Sequence, residues 1–285
     1  MIEAEELIDL FIFRPIGFIF VKAIMPLPLT PNHISLLAAF CGVIAGVFYG
    51  FGTIEQVFNA GLFYLVYYIL DISDGQLARL KKNGTPLGRI IDGFADYITH
   101  IAVYIGLGTG IIAMGGEISY TWFVVGAALI SMLIHAALMD YFRNRYMAYA
   151  KDLNSIYGDE LSEYQVEFDR MKKEGGNYVA RFIFSTYLGY LKIQGLFSSS
   201  QKADAVLKTF DRQDFLKHNR IVIRLWTRMG TGTHITLLIV TSLIYRLDIY
   251  LWGIIIIINI YAFFMVGLQY FIDRVTIKNS SGNNK

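Results

Sequence analysis

The sequence predicts an all-α integral membrane protein: six transmembrane helices, an N-terminal interfacial helix and a helical cytoplasmic insertion. Three observations carry this. Of the 285 residues, 55% are hydrophobic and only 17% are charged, against about 25% charged in a typical soluble domain. Several apolar stretches reach the roughly 20 residues that a bilayer-spanning helix needs; residues 119–139 and 249–271 contain no charged side chain. Finally, every Lys and Arg except Arg246 lies at the termini, at 79–89 or at 143–228. Basic residues gather on the cytoplasmic side, so this asymmetry places both termini and those two loops in the cytoplasm.

The elements follow in order. Within residues 1–28, residues 10–25 are apolar but carry Arg14, Pro15 and Lys22, which fits a helix lying on the membrane surface better than a seventh span. Thr30 and Pro31 form a helix start signal. Spans one to four occupy 33–146, at about 33–51, 57–80, 88–114 and 119–146. Residues 147–228 form a charged insertion, with a turn at Gly175-Gly176 and an aromatic, interfacial stretch over 178–197. Spans five and six fall within 229–274, and 275–285 is a tail whose last residues, 279–285, are expected to be disordered. The start Met-Ile-Glu-Ala-Glu-Glu lacks the basic residues of a cleaved signal peptide, so targeting is expected from the spans. Cys41 is the single cysteine; it lies in an apolar run and reads as a packed thiol.

Chemistry concentrates where spans two and three meet. The segment Asp71-Ile-Ser-Asp74-Gly75-Gln-Leu-Ala78-Arg79 is followed by Gly88-Arg-Ile-Ile-Asp92-Gly-Phe-Ala-Asp96. Carboxylates at membrane depth are costly and mark function. Asp71 and Asp74 share one helix face, which Gly75 and Ala78 continue with little bulk; Gly88, Asp92 and Asp96 share a face of the next helix. A short turn at 81–86 makes the helices antiparallel, so the acidic faces meet near the cytoplasm. Such carboxylates repel one another unless a cation neutralises them. Oxygen ligands suit Mg²⁺ or Mn²⁺, and two ions can clamp the phosphates of an in-line displacement. The competing reading is a set of ion pairs with Arg79, Arg89 and nearby lysines. A cation transporter is a further alternative, although its acids belong nearer the midplane.

The pattern Asp-x2-Asp-Gly-x2-Ala-Arg-x8-Gly-x3-Asp-x3-Asp resembles the signature of the CDP-alcohol phosphotransferase family, and each of its fixed positions is present. The resemblance implies six transmembrane helices, a homodimer in a cell membrane (the inner membrane) and a cytoplasm-facing site. It implies transfer of a substituted phosphate from a CDP-alcohol to a second alcohol, with release of CMP. Asp71, Asp74, Asp92 and Asp96 then resemble metal ligands, with Asp96 also the general base. Asp74, Gly75, Ala78, Arg79 and Gly88 resemble the CDP-binding positions. Thr30-Pro31-Asn32 is similar to the family's Thr-Pro-Asn, with Asn32 at the nucleotide phosphates. Arg143 and Arg145, in Tyr141-Phe-Arg-Asn-Arg, are similar to a basic stretch that holds a phosphorylated acceptor; cytoplasmic anchoring accounts for them equally well. CDP-diacylglycerol is the expected donor and a polar alcohol the acceptor. The reverse polarity, CDP-choline or CDP-ethanolamine with diacylglycerol, is the alternative. No nucleic-acid partner is expected.

Three histidines stay open. His100 lies four residues beyond Asp96 on the same face, suited either to handling a proton or to packing. His135 is placed to bond a neighbouring helix. His234 follows a Gly-rich stretch that reads as an acceptor-pocket wall or a helix cap. Gly106, Gly108 and Gly110 read as helix packing, because no strand precedes them.

Overall fold

The computed structural model describes residues 2–152, 158–173, 175, 178, 181, 184–185, 188 and 210–282, and these contain no strand. Ten α-helices are described: α1 Arg14–Ile24, α2 Pro31–Phe51, α3 Ile54–Lys81, α4 Pro86–Ala113, α5 Ile118–Lys151, α6 Gly158–Lys173, α7 Arg212–Trp226, α8 Thr231–Leu243, α9 Leu247–Trp252 and α10 Asn259–Gly282. A π-helical turn, Gly253–Ile258, joins α9 to α10.

Four helical segments are long and apolar enough to cross a membrane: Pro31–Phe51, Leu87–Ala113, Ile118–Lys151 and Leu247–Ile277. The chain is therefore a multi-pass membrane protein. Expected spans two and five do not reach that mark. The carboxylates and other polar residues of α3 lower its hydropathy, and α8 has only 13 residues, about 20 Å of helix. The tail also differs from expectation, since α10 continues through 279–282; residues 283–285 lie outside the described residues. So do Gly176 of the expected turn and most of the aromatic stretch 178–197.

Local chemistry sets the helix boundaries. His33 Nδ1 accepts from the Thr30 amide at the start of α2. The Thr53 and Thr85 hydroxyls accept from the amides of Gln56 and Gly88 at the starts of α3 and α4, and the Glu117 carboxylate caps α5. Each satisfies a donor that the first helical turn leaves orphaned. Lys82, at φ 53°, ends α3 in the left-handed conformation, and residues 83–85 turn the chain into α4.

Helices α2 and α4 run parallel and pack closely. A Cβ on Gly106 would lie 2.0 Å from the Gly46 carbonyl oxygen, and one on Gly110 the same distance from that of Tyr49. Small residues let two backbones meet in this way, so the packing reading holds for both glycines. Gly108 instead meets the Trp122 ring of α5. Because α3 leads from the end of α2 back to the start of α4, it traverses the same depth as its neighbours.

The N-terminal arm lies along α3. Gln76 Nε2 donates to the Arg14 carbonyl (3.0 Å), and Lys81 Nζ donates to the carbonyls of Leu27 and Leu29 (both 2.9 Å). Its outer face exposes Phe11, Phe18 and Ile19. At the other end of the chain, α7 and α10 grip the end of α5. Tyr149 stacks on Phe215 with ring centroids 3.9 Å apart, and Phe142 on Trp226 at 4.2 Å.

Candidate active site

The two acidic faces do meet. Asp71, Asp74 and Asp92 each direct one carboxylate oxygen into a cluster in which those oxygens all lie within 4.8 Å of one another. Asp96 stands beside Asp71, and Asp92 beside Asp74. None of the four carboxylates forms an ion pair among the described residues, so the alternative of structural salt bridges to Arg79 or Arg89 fails. Apart from one another, their partners are neutral. The Ser35 hydroxyl donates to Asp74 Oδ2, and Tyr67 donates to Asp96 Oδ1 at 2.8 Å. Asp92 Oδ1 is buried and has no partner. A buried, unsatisfied carboxylate oxygen facing two further carboxylates is a donor set that fits a divalent cation.

The residues expected to bind nucleotide also converge. Asn32, Asp74, Gly75, Ala78 and Gly88 line a cavity of about 80 Å³ between α2, α3 and α4. A Cβ on Gly88 would come within 3.0 Å of Asn32 Oδ1 and 3.2 Å of Thr85 Oγ1, so the missing side chain keeps the floor open. Arg79 is exposed at the mouth, and its guanidinium lies 3.6 Å from where a Gly75 Cβ would stand. Asp71 and Asp96 lie one helical turn deeper than the cavity.

Two residues around the site escaped the sequence reading. Ser35 lies one turn after Asn32, on the same face of α2, and Tyr67 one turn before Asp71. Helical spacing from residues already singled out was the available signal. Arg89 lines the mouth and lies 5.5 Å over the ring of Tyr164 in α6. Tyr164 packs with Ile90, Phe184 and Leu188, so part of the insertion is docked on α4 beside the cavity.

The two acceptor candidates have different surroundings. The Arg145 guanidinium is buried and forks onto Asp273 of α10, with both bonds at 2.9 Å. It also faces the rings of Phe210 and Phe215. Arg143 is half-buried and acts electrostatically on Asp9 of the N-terminal arm. Asp9 Oδ1 accepts from Tyr68 (2.6 Å), and burial raises its carboxyl above the usual range against the pull of Arg14 and Arg143. Next to it, Glu6 caps α8 by accepting from the amides of Gly232 and Thr233 (3.2 and 2.9 Å). Burial, reinforced by Asp9, raises Glu6 to about 7. A Cβ on Gly230 or Gly232 would collide with these carboxylates. The Gly-rich approach to His234 therefore serves the cap.

The histidines form one interior group. The rings of His135 and His234 stack with centroids 5.2 Å apart, and the ring of His100 meets Tyr67 edge-on at 6.5 Å. His135 Nε2 bonds Asn259 Oδ1 at 3.0 Å, so its expected link to another helix is present.

Among known proteins, residues 28–156 match the family model for CDP-alcohol phosphatidyltransferase. No curated protein and no solved structure matches the chain. The matched stretch begins just before Asn32, takes in all four aspartates and both arginines, and ends beyond α5. The spacing, the converged carboxylates and this match agree: residues 28–156 match the CDP-alcohol phosphatidyltransferase family, a family of phosphotransferases.

Proposed function

We propose that this protein transfers a phosphatidyl group from CDP-diacylglycerol to a polar alcohol, releasing CMP, in phospholipid synthesis. The observation that supports this most directly is the cluster of Asp71, Asp74 and Asp92 oxygens set against a small cavity with glycine at its wall and floor. Asp71, Asp74 and Asp92 would hold divalent cations, Mg²⁺ or Mn²⁺ and two in number, with Asp96 at the edge of the set. Such cations neutralise charge on the pyrophosphate and on the departing CMP. The remaining work belongs to the chain. Asn32 and Arg79 orient the phosphates at the mouth, while Gly75, Ala78 and Gly88 admit the nucleotide. Tyr67 holds the Asp96 carboxylate in place by its hydrogen bond. Asp96 accepts the proton of the acceptor hydroxyl as that oxygen attacks the β-phosphorus, and catalysis is then largely positioning and electrostatics.

In this reading all six expected helices cross the membrane, because α3 covers the depth of α2 and α4 while α8 is extended by the turn before it. Both termini and the site face the cytoplasm, the arm lies at the interface and the membrane is the inner one. The deciding assay uses purified protein, radiolabelled CDP-diacylglycerol and a panel of acceptors, with and without Mg²⁺ or Mn²⁺. CMP release dependent on both metal and acceptor is expected. Release indifferent to both would overturn the proposal.

A further inference from the structure

An in-line displacement needs its nucleophile opposite the leaving group. The cavity assigned to the nucleotide contains Asp74 and Asp92 but neither Asp71 nor Asp96. Along α3 and α4 the levels from the mouth inward run Ala78 and Gly88, then Asp74 and Asp92, then Asp71 and Asp96, then Tyr67 and His100. If CMP departs toward the mouth, the second substrate must meet Asp96 from the deeper side. That side is built of histidine.

His135 and His234 are both fully buried. Neither nitrogen of His234 has a hydrogen-bond partner, and Nδ1 of His100 and of His135 are likewise unsatisfied. The Met229 carbonyl acts on His234 without reaching hydrogen-bond geometry. The state of His135 follows from its neighbours. Asn259 Nδ2 donates to the Ile255 carbonyl at 2.9 Å, and a carbonyl can only accept. Asn259 Oδ1 therefore faces His135, whose Nε2 must carry the proton and whose Nδ1 presents a lone pair. A neutral His234 adds one donor and one acceptor. His100 and His135 both act electrostatically on His234, so the three rings form one group. Such orphaned polar atoms in an apolar interior call for a partner.

We propose that His100, His135 and His234 form the acceptor subsite, built for an uncharged polyol that carries a second hydroxyl close to the reacting one. The inference rests on the transferase reading above. A hydroxyl both donates and accepts, which matches a set of rings offering lone pairs and N–H groups together. No cationic side chain belongs to this group, so a phosphate has no counter-charge there. Asp96 and His100 are half-buried, unlike the fully buried His135 and His234. The subsite binds and orients; the proton still goes to Asp96, and the new P–O bond forms as the bond to CMP breaks.

The test uses full-length protein with Mn²⁺ and CDP-diacylglycerol, and compares glycerol with 1-propanol as acceptor. Glycerol should be preferred by at least about tenfold in kcat/KM, as a site built to bond a hydroxyl discriminates against an analogue without it. His234→Phe keeps a ring but removes both nitrogens; it should abolish most of that preference and leave the KM for CDP-diacylglycerol within about twofold. His100→Phe carries the same expectation should His234→Phe not fold. A wild type that uses propanol as well as glycerol, or neither, overturns the proposal, as does a preference that survives in the folded variants. Metal-dependent CDP binding, followed by calorimetry, separates the two layers. Its absence sinks the transferase reading, whereas its presence with unchanged discrimination sinks only the histidine subsite.

Discussion

At the scale of single residues, the four aspartates divide by their partners rather than by their identical chemistry. Asp74 leans on Ser35 and Asp96 on Tyr67, while Asp92 keeps one oxygen unsatisfied. Loss of a general base costs about 100-fold or more, so Asp96→Asn should lose transfer to at least that extent. CDP binding should persist, and near-normal turnover would refute the base assignment. Arg145 is a different case. Its fork onto Asp273 leaves a buried cation if the acid is removed. Asp273→Asn should therefore destabilise the protein by about 3 kcal/mol, near the lower end for such pairs because Asp273 is only partly covered. A thermal melt of the detergent-solubilised protein measures this. If Asp273→Asn melts like wild type and only the KM for acceptor moves, Arg145 is a substrate ligand after all.

Among elements, the N-terminal arm is held by a titratable joint. Glu6 ionises near 7 in the folded protein because burial, reinforced by Asp9, opposes its charge; its ordinary value is 4.5. Between those values the folded state binds the extra proton, so stability from this group falls as pH rises. It is fully present below about pH 4.5 and gone above about pH 7, a span worth on the order of 3 kcal/mol. Melts at pH 5, 6, 7 and 8 should decline over that window, and Glu6→Gln should flatten the decline. None of this was legible in the sequence, because Glu6 and its partner Gly232 are 226 positions apart. The same distance problem hid Asp273 from Arg145 and Asn259 from His135. What could be read was whatever helical spacing encodes: the acidic faces, the Thr and Pro start signals, and the small residues of α4. The span count was less legible, since α3 combines the length of a span with the polarity of a site.

For the whole molecule, the arrangement predicts which residues a membrane-impermeant maleimide can reach. In a Cys41→Ala background, a cysteine at Lys151 should label only from the cytoplasmic side and one at Glu55 only from the opposite side; both positions are exposed. Labelling of both from one side would break the proposed topology. Both walls and both acidic faces of the site come from α2, α3 and α4, residues 31–113. The later helices attach through Tyr49 to Ser242, Tyr104 to Tyr250, and Arg145 to Asp273. Synthesis therefore delivers the aspartates and the nucleotide cavity first, and two of the three subsite histidines and the buttress later. A nascent chain that has released only its first half already carries all four site aspartates in the bilayer, and depends on the remaining helices to avoid being cleared by quality control. Lesions near the C-terminus should accordingly appear in cells as missing protein, and lesions at 71–96 as protein that is present but inert.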